Sequence, residues 1–454
     1  MNHYEAIIEA LTAIGGEATI REVDNWIGNK YPNSWKTAGT ALADMVPRQN
    51  GGNNSSNVRE EYQVIERVAP GRYRLLDKGG VAVGGKSFGF FNKNKDILEQ
   101  AMKTKKDFFI ASLLGGAVGD GLGYSVEFMT LNEIKSRFGV QGITDLDIDK
   151  RTGRAIISDD TQMTLFTADG ILWSYKRMSE RGIGSYAGSG TYQSYLRWYY
   201  TQTRKLPNDG AEWLLERQPH EESESILTYK ELFFQRAPGN TCLSALESGK
   251  MGQIEQPINN SKGCGGVMRV APVGLFLHRE PDHAFRVGAE FAAITHGHPT
   301  GYLSAGALSA IIAELINGKS IINSAETAMH ILKGNPNHQE TLAAIEKAVE
   351  LSTSHLTVEK AISKLGEGWI AEEALAIALY CALKETDFRK ALIMAVNHDG
   401  DSDSTGSICG NILGACYGMQ GVPKEWASRI ELKDFIINMG LKLYELSERA
   451  FARH

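Results

Sequence analysis

The sequence predicts an all-α globule preceded by a small α+β unit, and three observations carry that expectation. From about residue 105 onward, apolar residues recur at helical spacing in Ala- and Leu-rich segments of roughly 10–18 residues. These segments are 107–118, 161–176, 187–200, 284–295, 303–316, 340–351, 371–383 and 388–396. Few alternating β-branched runs separate them, so about a dozen packed helices with loops gathered at one end is the expected architecture. No fixed-period repeat is present, which excludes a solenoid. Residues 1–78 read differently, as three helices and a hairpin.

In that first unit Tyr4, Ile7, Ile8, Leu11 and Ile14 repeat at helical spacing, and Gly15-Gly16 stops the helix. Thr19 can cap a second helix with Val23, Trp26 and Ile27 inward, and Ser34 a third with Trp35, Ala38, Leu42 and Met45 inward. A polar loop over 49–57 follows. Residues 62–68 and 72–76 read as strands joined by Ala69-Pro70-Gly71. The pattern suggests a winged helix-turn-helix, with residues 34–46 as recognition helix and the hairpin as wing. Lys36, Arg48, Arg59, Arg67, Arg72 and Arg74 are offset by Glu17, Glu22, Asp44, Glu60, Glu61 and Glu66. DNA binding and protein docking both stay open, because a DNA-binding surface usually carries a clear basic excess. Residues 79–104 read as a linker and 105–454 as the main domain.

Composition bounds the function. A chain of 454 residues predicts one large domain with a smaller one. Apolar content of 42% and charged content of 22% describe a soluble globular protein. A net charge of −6 excludes a general attraction to nucleic acid or anionic membrane, though not a local basic patch. Five cysteines without a Cys-x-x-Cys pair suggest neither a disulfide framework nor a thiolate zinc site. The N-terminus has no basic segment followed by an apolar run, so a cytoplasmic protein is expected. No apolar run approaches the roughly 20 residues that span a bilayer, and Phe108–Val118 reads as a core helix.

Four stretches concentrate chemistry. In Val396–Gly406, Asp399, Asp401 and Asp403 are spaced by Gly and Ser and followed by an apolar small-residue helix. Such dense carboxylates repel one another unless a cation or a helix N-terminus compensates, so a metal-binding turn stands beside an ordinary polar turn as a reading. Ser158-Asp159-Asp160-Thr161 offers more hard oxygen than a helix cap needs, which favours magnesium, manganese or calcium over zinc. Convergence of both clusters on a pair of cations accounts for them together. The glycine-rich stretch Gly115–Gly123, with Asp120 and Glu127, reads either as a glycine-lined helix end or as helix packing. Asn259–Arg269 reads as an anion cradle, with Lys262 and Arg269 adding charge, or as a tight interhelical turn. His296 and His298 can bind metal, contact substrate or cap a helix.

In this order, Gly119-Asp120 through Glu127, Ser158–Thr161, Lys262–Arg269, Thr295–His298, Trp369–Ala374 and Gly400–Ser404 resemble the ADP-ribosylglycohydrolases. The likeness is to the dinitrogenase-reductase-activating and ADP-ribosylarginine hydrolase type, and covers about residues 105–450. It implies an orthogonal multi-helix fold around two magnesium ions, manganese being the alternative. Ser158, Asp159, Asp160, Asp401, Asp403 and Ser404 would hold the metals. Glu127, Asp159, Asp160 and Asp403 would be catalytic. Gly123, Lys262, Gly263, Cys264, Gly265, Gly266, Met268 and His296 would line the substrate, with Gly263–Gly266 on the diphosphate. Asp120 reads as structural.

The reaction implied is hydrolysis of the glycosidic bond at C1″ of the distal ribose, releasing ADP-ribose from an acceptor. The Asp-Ser-Asp-Ser ending looks more like the arginine-directed branch, so an ADP-ribosylated protein is the expected substrate. Serine, nucleic acid or a small molecule is the alternative acceptor. A regulator that binds DNA and senses ADP-ribose is the reading from another class.

Overall fold

A computed structural model describes residues 3–14, 17–32, 34–35, 37–47, 58, 62–75, 105–182, 189–222 and 224–452. The chain divides into two compact units, one within residues 1–93 and one within 94–454. Lys36, Arg48, Arg59, Glu60, Glu61, the 49–57 loop and the 79–104 segment lie outside the described residues.

The smaller unit holds α1 (His3–Ile14), β1 (Glu17–Thr19), α2 (Ile20–Lys30), α3 (Gly39–Asp44), β2 (Ile65–Ala69) and β3 (Arg72–Leu75). Its sheet is antiparallel in the order β1-β3-β2. Ile7, Leu11, Val23, Ile27, Leu42, Ile65 and Tyr73 form its core. Thr19 caps α2 as its sequence suggests, in a reciprocal capping box with Glu22. The third helix differs from expectation: it begins at Gly39, not after Ser34. Asp24 takes the Thr37 hydroxyl at 2.9 Å and the Ala38 N–H at 2.6 Å, so a carboxylate of α2 holds the chain where a local cap was expected. Strand β1 went unread because three residues carry no measurable alternation. Arg72 pairs with Glu17, and Arg74 with Glu17 and Glu66.

Every regular element among the larger unit's described residues is a helix, with isolated bridges between its loops. Its Pro299–Ile316 helix is buried on nearly every face, and Ala371–Lys384 and Pro281–Ala293 pack against its neighbourhood. Two stretches, Lys105–Val126 and Pro299–Ile316, are long and apolar enough to cross a membrane, against the sequence expectation of none. Respectively 89% and 94% of each is buried inside the unit, so both are core helices.

What positions the site is the contact between the Lys105–Gly123 and Ser402–Tyr417 helices. Gly115, Gly119 and Gly123 recur every fourth residue on the first, and Gly406, Gly410 and Gly414 on the second. Residues four apart share a helix face. A Cβ at Gly115 would meet the Gly410 carbonyl at 2.6 Å, and one at Gly119 would overlap the Gly406 carbonyl. The same seam puts Gly123 against the Ser402 carbonyl and the Asp403 N–H. Asn411 seals it, donating to the Ser112 carbonyl at 2.8 Å while Ser112 donates to the Asn411 carbonyl at 3.0 Å. The glycine stretch therefore packs helix against helix, and the side of Gly123 on which a Cβ would stand faces backbone of the neighbouring helix.

Candidate metal centre and substrate loop

Two helices begin at the seam. The Asp159–Arg181 helix starts with Ser158 as N-cap, its hydroxyl accepting the Asp160 N–H at 3.1 Å. Asp120, inside the Lys105–Gly123 helix, accepts the Ser158 N–H at 2.9 Å and the Thr161 N–H at 3.2 Å, and also takes the Thr161 hydroxyl. A fully buried carboxylate thus docks one helix start onto another helix, which explains why an acid sits among glycines. The Ser402–Tyr417 helix starts with Asp401 as N-cap, and the Ser404 N–H donates to Asp403 at 3.0 Å. Its turn is held from outside: Asn397 accepts the Ile143 N–H at 2.8 Å, and His398 bonds Thr405 at 2.9 Å. Gly400 has a φ of +116° with the Glu367 carbonyl where a Cβ would stand, so only glycine fits there.

These restraints bring the two acidic clusters together. The Ser404 hydroxyl lies 3.4 Å from Asp160 Oδ1, across 244 residues of sequence. Carboxylate oxygens of Glu127, Asp401 and Asp403 all lie within 4.8 Å of one another. Ser158, Asp159, Asp160, Asp401, Asp403 and Ser404 are all buried. Asp399 is not among them. It is exposed and accepts the Leu131 N–H at 2.7 Å, so it serves another helix start.

The electrostatics of this cluster are unbalanced. Burial, and then the neighbouring Asp403 carboxylate, push Asp159 and Asp160 well above the usual carboxylate range. Burial and Asp401 do the same to Asp403. Burial raises Asp401 as well. Glu127 is pushed up to about 10 by burial and by Asp403, and Asp120 to about 7 by the same two causes. Among the described residues no Lys, Arg or His forms a salt bridge with any of the six; Arg236 goes to Glu431 instead, at 3.5 Å. Glu127 Oε2 and Asp160 Oδ2 are buried without a hydrogen-bond partner. Hard carboxylate oxygens with no cationic side chain beside them, two of them without any hydrogen bond, are what a divalent oxygen-seeking cation requires, so the residues fit a metal.

The glycine loop borders this cluster. The Cys264 N–H donates to the Trp369 carbonyl at 3.1 Å and the Ala371 N–H to the Lys262 carbonyl at 2.8 Å, so the loop is stitched to the Trp369–Ala374 segment. Cys264 Sγ lies 2.8 Å from Asp401 Oδ2, and Met268 Sδ 4.0 Å from the Ser404 hydroxyl. His296 is buried beneath the loop, its Nδ1 2.8 Å from the Thr295 hydroxyl. A Cβ on Gly263 or Gly265 would approach its ring at 3.4 Å and 3.1 Å. Burial and the Arg269 cation lower its pKa to about 3, so the ring is neutral. His298 instead caps the Pro299–Ile316 helix, accepting the Thr300 N–H at 3.1 Å.

Two expected anion contacts are otherwise engaged. Lys262 Nζ pairs with Glu372 at 2.8 Å and Glu340 at 3.2 Å, which anchors the loop's backbone. Arg269 is fully buried, donating to the Thr295 hydroxyl at 2.7 Å and lying over the Tyr195 ring at 4.3 Å. Within the loop the Gly263 N–H donates to the Ser261 hydroxyl at 3.3 Å, so the Gly265 and Gly266 backbone is what the loop has left to offer an anion. Sequence reasoning missed Arg236, whose carbonyl accepts the Asp159 N–H at 3.1 Å, and the aromatic side chains that border the centre. Phe128, directly after Glu127, was the available signal.

The family model described as ADP-ribosylglycohydrolase matches residues 101–453. The chain is 26% identical over 330 residues to an ADP-ribosyl-[dinitrogen reductase] glycohydrolase of Rhodospirillum rubrum, covering 72% of this chain and 91% of that one. It is 22% identical over 353 residues to ADP-ribosylarginine hydrolase Tri1 of Pseudomonas putida, covering 76% and 79%. An Archaeoglobus fulgidus protein without an assigned function is 33% identical over 190 residues, which span 42% of this chain and 60% of that one. A solved ADP-ribosylglycohydrolase-related protein complex shares the fold, with a TM-score of 0.52 at 21% identity over 76% of this chain and 100% of that chain. With a family match that spans its helical unit and the acidic centre that unit assembles, the chain belongs to the ADP-ribosylglycohydrolase family and is a hydrolase of that kind.

Proposed function

We propose that the chain removes ADP-ribose from modified arginine on a protein, at a centre of two magnesium ions. The observation that carries the reading is the Ser404–Asp160 approach of 3.4 Å, which joins the acids of two helix starts in one buried volume. Ser158, Asp159, Asp160, Asp401, Asp403 and Ser404 would hold the ions, and their all-oxygen set favours magnesium or manganese. When bound, such ions supply a fixed positive anchor for the vicinal hydroxyls of the distal ribose.

The protein's own groups do the rest. The Gly263–Gly266 backbone orients the diphosphate, and neutral His296 packs beneath it without adding charge. Glu127 has one buried oxygen, Oε2, without a partner; with cations bound, their charge would offset the burial and repulsion that otherwise keep it protonated, and it would accept the proton of the attacking water. The surrounding carboxylates stabilise positive charge that develops at C1″ as the glycosidic bond breaks. Arginine as acceptor is supported by the two relatives aligned over most of their length, one of them named for that residue. Serine, nucleic acid or a small molecule is the alternative acceptor.

For the smaller unit we propose a winged-helix-like module that docks a protein. Three helices with a β1-β3-β2 sheet support the first part. The pairing of Arg72 and Arg74 with Glu17 and Glu66 favours a protein over DNA for the second. The test is a hydrolysis panel of arginine-, serine- and DNA-linked ADP-ribose with and without magnesium. Magnesium-dependent release from the arginine-linked substrate, abolished in Asp159→Ala and Asp403→Ala, is expected. ADP-ribose binding without release from any substrate would replace the hydrolase reading with a sensor.

A further inference from the structure

Five large apolar side chains are exposed among the described residues: Phe128, Val140, Trp213, Phe234 and Trp369. Three of these five lie on segments that supply or hold residues of the carboxylate centre. Phe128, 73% exposed, directly follows Glu127. Trp369, 39% exposed, accepts the N–H of Cys264, whose thiol touches Asp401. Phe234, 56% exposed, lies two residues before Arg236, whose carbonyl holds the Asp159 N–H, and its own carbonyl accepts from Gln162 at 3.1 Å. Phe128 and Trp369 stack on each other, ring centroids 5.8 Å apart and planes 19° from parallel. They come from segments some 240 residues apart in sequence, so the pair is a product of the fold.

We infer that this aromatic mouth receives the acceptor, and that the Phe128–Trp369 pair stacks on the guanidinium of the modified arginine. The inference rests on the arginine reading above and deepens it. A guanidinium is planar, permanently charged and weakly hydrated, and it stacks on aromatic faces. An exposed aromatic pair held beside the centre therefore favours a flat cation over a neutral hydroxyl acceptor. Phe128 and Trp369 are specificity-determining residues on the leaving-group side of the scissile bond.

The test uses the full chain with magnesium, an arginine-ADP-ribosylated peptide as substrate and calorimetric binding of free ADP-ribose. Phe128→Ala and Trp369→Ala are expected to lower kcat/KM roughly 3- to 30-fold, mainly through KM, the range of one cation–π contact. Trp369→Phe restores most of the loss, and the Kd for ADP-ribose stays the same in all three. Weakened ADP-ribose binding overturns the inference by assigning the rings to adenine. Unchanged kcat/KM in an active wild type overturns it alone. A wild type that binds ADP-ribose but leaves the arginine bond intact overturns the arginine reading first and this inference with it.

Discussion

Gly119 and Gly406 meet backbone to backbone: a Cβ on Gly406 would stand 2.5 Å from the Gly119 carbonyl and 2.8 Å from Val396 Cγ1. That contact holds the helix carrying Asp403, three residues before Gly406, against the helix whose Asp120 secures the helix start of Asp160. The geometry of the acidic centre is thus inherited from a packing contact.

Gly406→Ala tests this. Alanine gains about 1 kcal/mol in a helix interior, while overpacking a tight core costs about 1–3 kcal/mol. The clash with backbone carbonyl has no flexible partner to absorb it, so net destabilisation is expected, with weaker magnesium binding. Gly28, in α2 with nothing within 4 Å of its would-be Cβ, provides the opposite sign. Gly28→Ala should stabilise the smaller unit by about 0.5–1 kcal/mol. Urea unfolding reads both, and a stabilised Gly406→Ala would show that the seam does not constrain the helices.

Asp403→Asn separates function from stability. Asp403 is a leading source of the upward shifts of Asp159, Asp160 and Glu127. Removing its charge should raise the stability of the metal-free protein by about 1 kcal/mol, the equivalent of relieving less than one pKa unit. The same substitution should lower hydrolysis at least about 10³-fold, because several kcal/mol of cation-assisted stabilisation disappear. Thermal unfolding in chelator and a single-turnover assay check the two halves. Loss of both stability and activity would mean that Asp403 is structural.

The pH dependence follows with a definite sign. Asp120, Glu127, Asp159, Asp160, Asp401 and Asp403 all have folded pKa values above their unfolded ones. The folded metal-free protein therefore binds more protons, and its stability falls as pH rises. The loss starts near the unfolded carboxylate range, about pH 4, and runs through Asp120 at about 7 towards Glu127 at about 10. Magnesium should flatten that slope by replacing the protons. Tm measured at pH 5 and pH 8 with chelator and with magnesium tests it; a Tm that magnesium leaves unchanged at pH 8 counts against the metal centre.

Long helices were legible in the sequence because their apolar period repeats several times. Phe388–Val396 matches its expected bounds, and Pro299–Ile316 extends the expected 303–316 only by the turn that Pro299 and His298 begin. Leu131–Phe138 and Ala271–Phe276, at eight and six residues, are too short for a period to register. The acidic residues of the site were legible because carboxylates so dense demand a reason. Helix packing was one reading of the first half of the glycine seam and a small-residue helix that of the second, but that the two pack on each other could not be read, because Gly119 and Gly406 lie far apart in the sequence. The same holds for charge pairing. Lys262 looks free beside its glycines, and its partner Glu372 lies 110 residues further along.

A second acidic cluster shows how a balanced site differs from an unbalanced one. Asp169, His220 and Glu221 also bring potential ligand atoms within 4.8 Å of one another. Here Arg197 bonds Asp169 at 3.2 Å and Glu221 at 2.8 Å, and His220 bonds Asp169 at 2.6 Å. His220 is in turn stacked on Trp173. Although burial opposes ionisation, the His220 and Arg197 charges bring Asp169 down to about 2. The sign is therefore the reverse of the metal centre: stability is present above pH 4 and lost as pH falls through about 2. The drop from an ordinary Asp corresponds to about 2 kcal/mol. Asp169→Asn leaves buried Arg197 with one of its two carboxylate partners, so a loss of about 3–5 kcal/mol is expected. That loss should be the same with and without magnesium, because the cluster's own cation already fills the role an ion would take. A Tm of Asp169→Asn that loses its response to magnesium while Asp403→Asn keeps it would move the metal to this cluster.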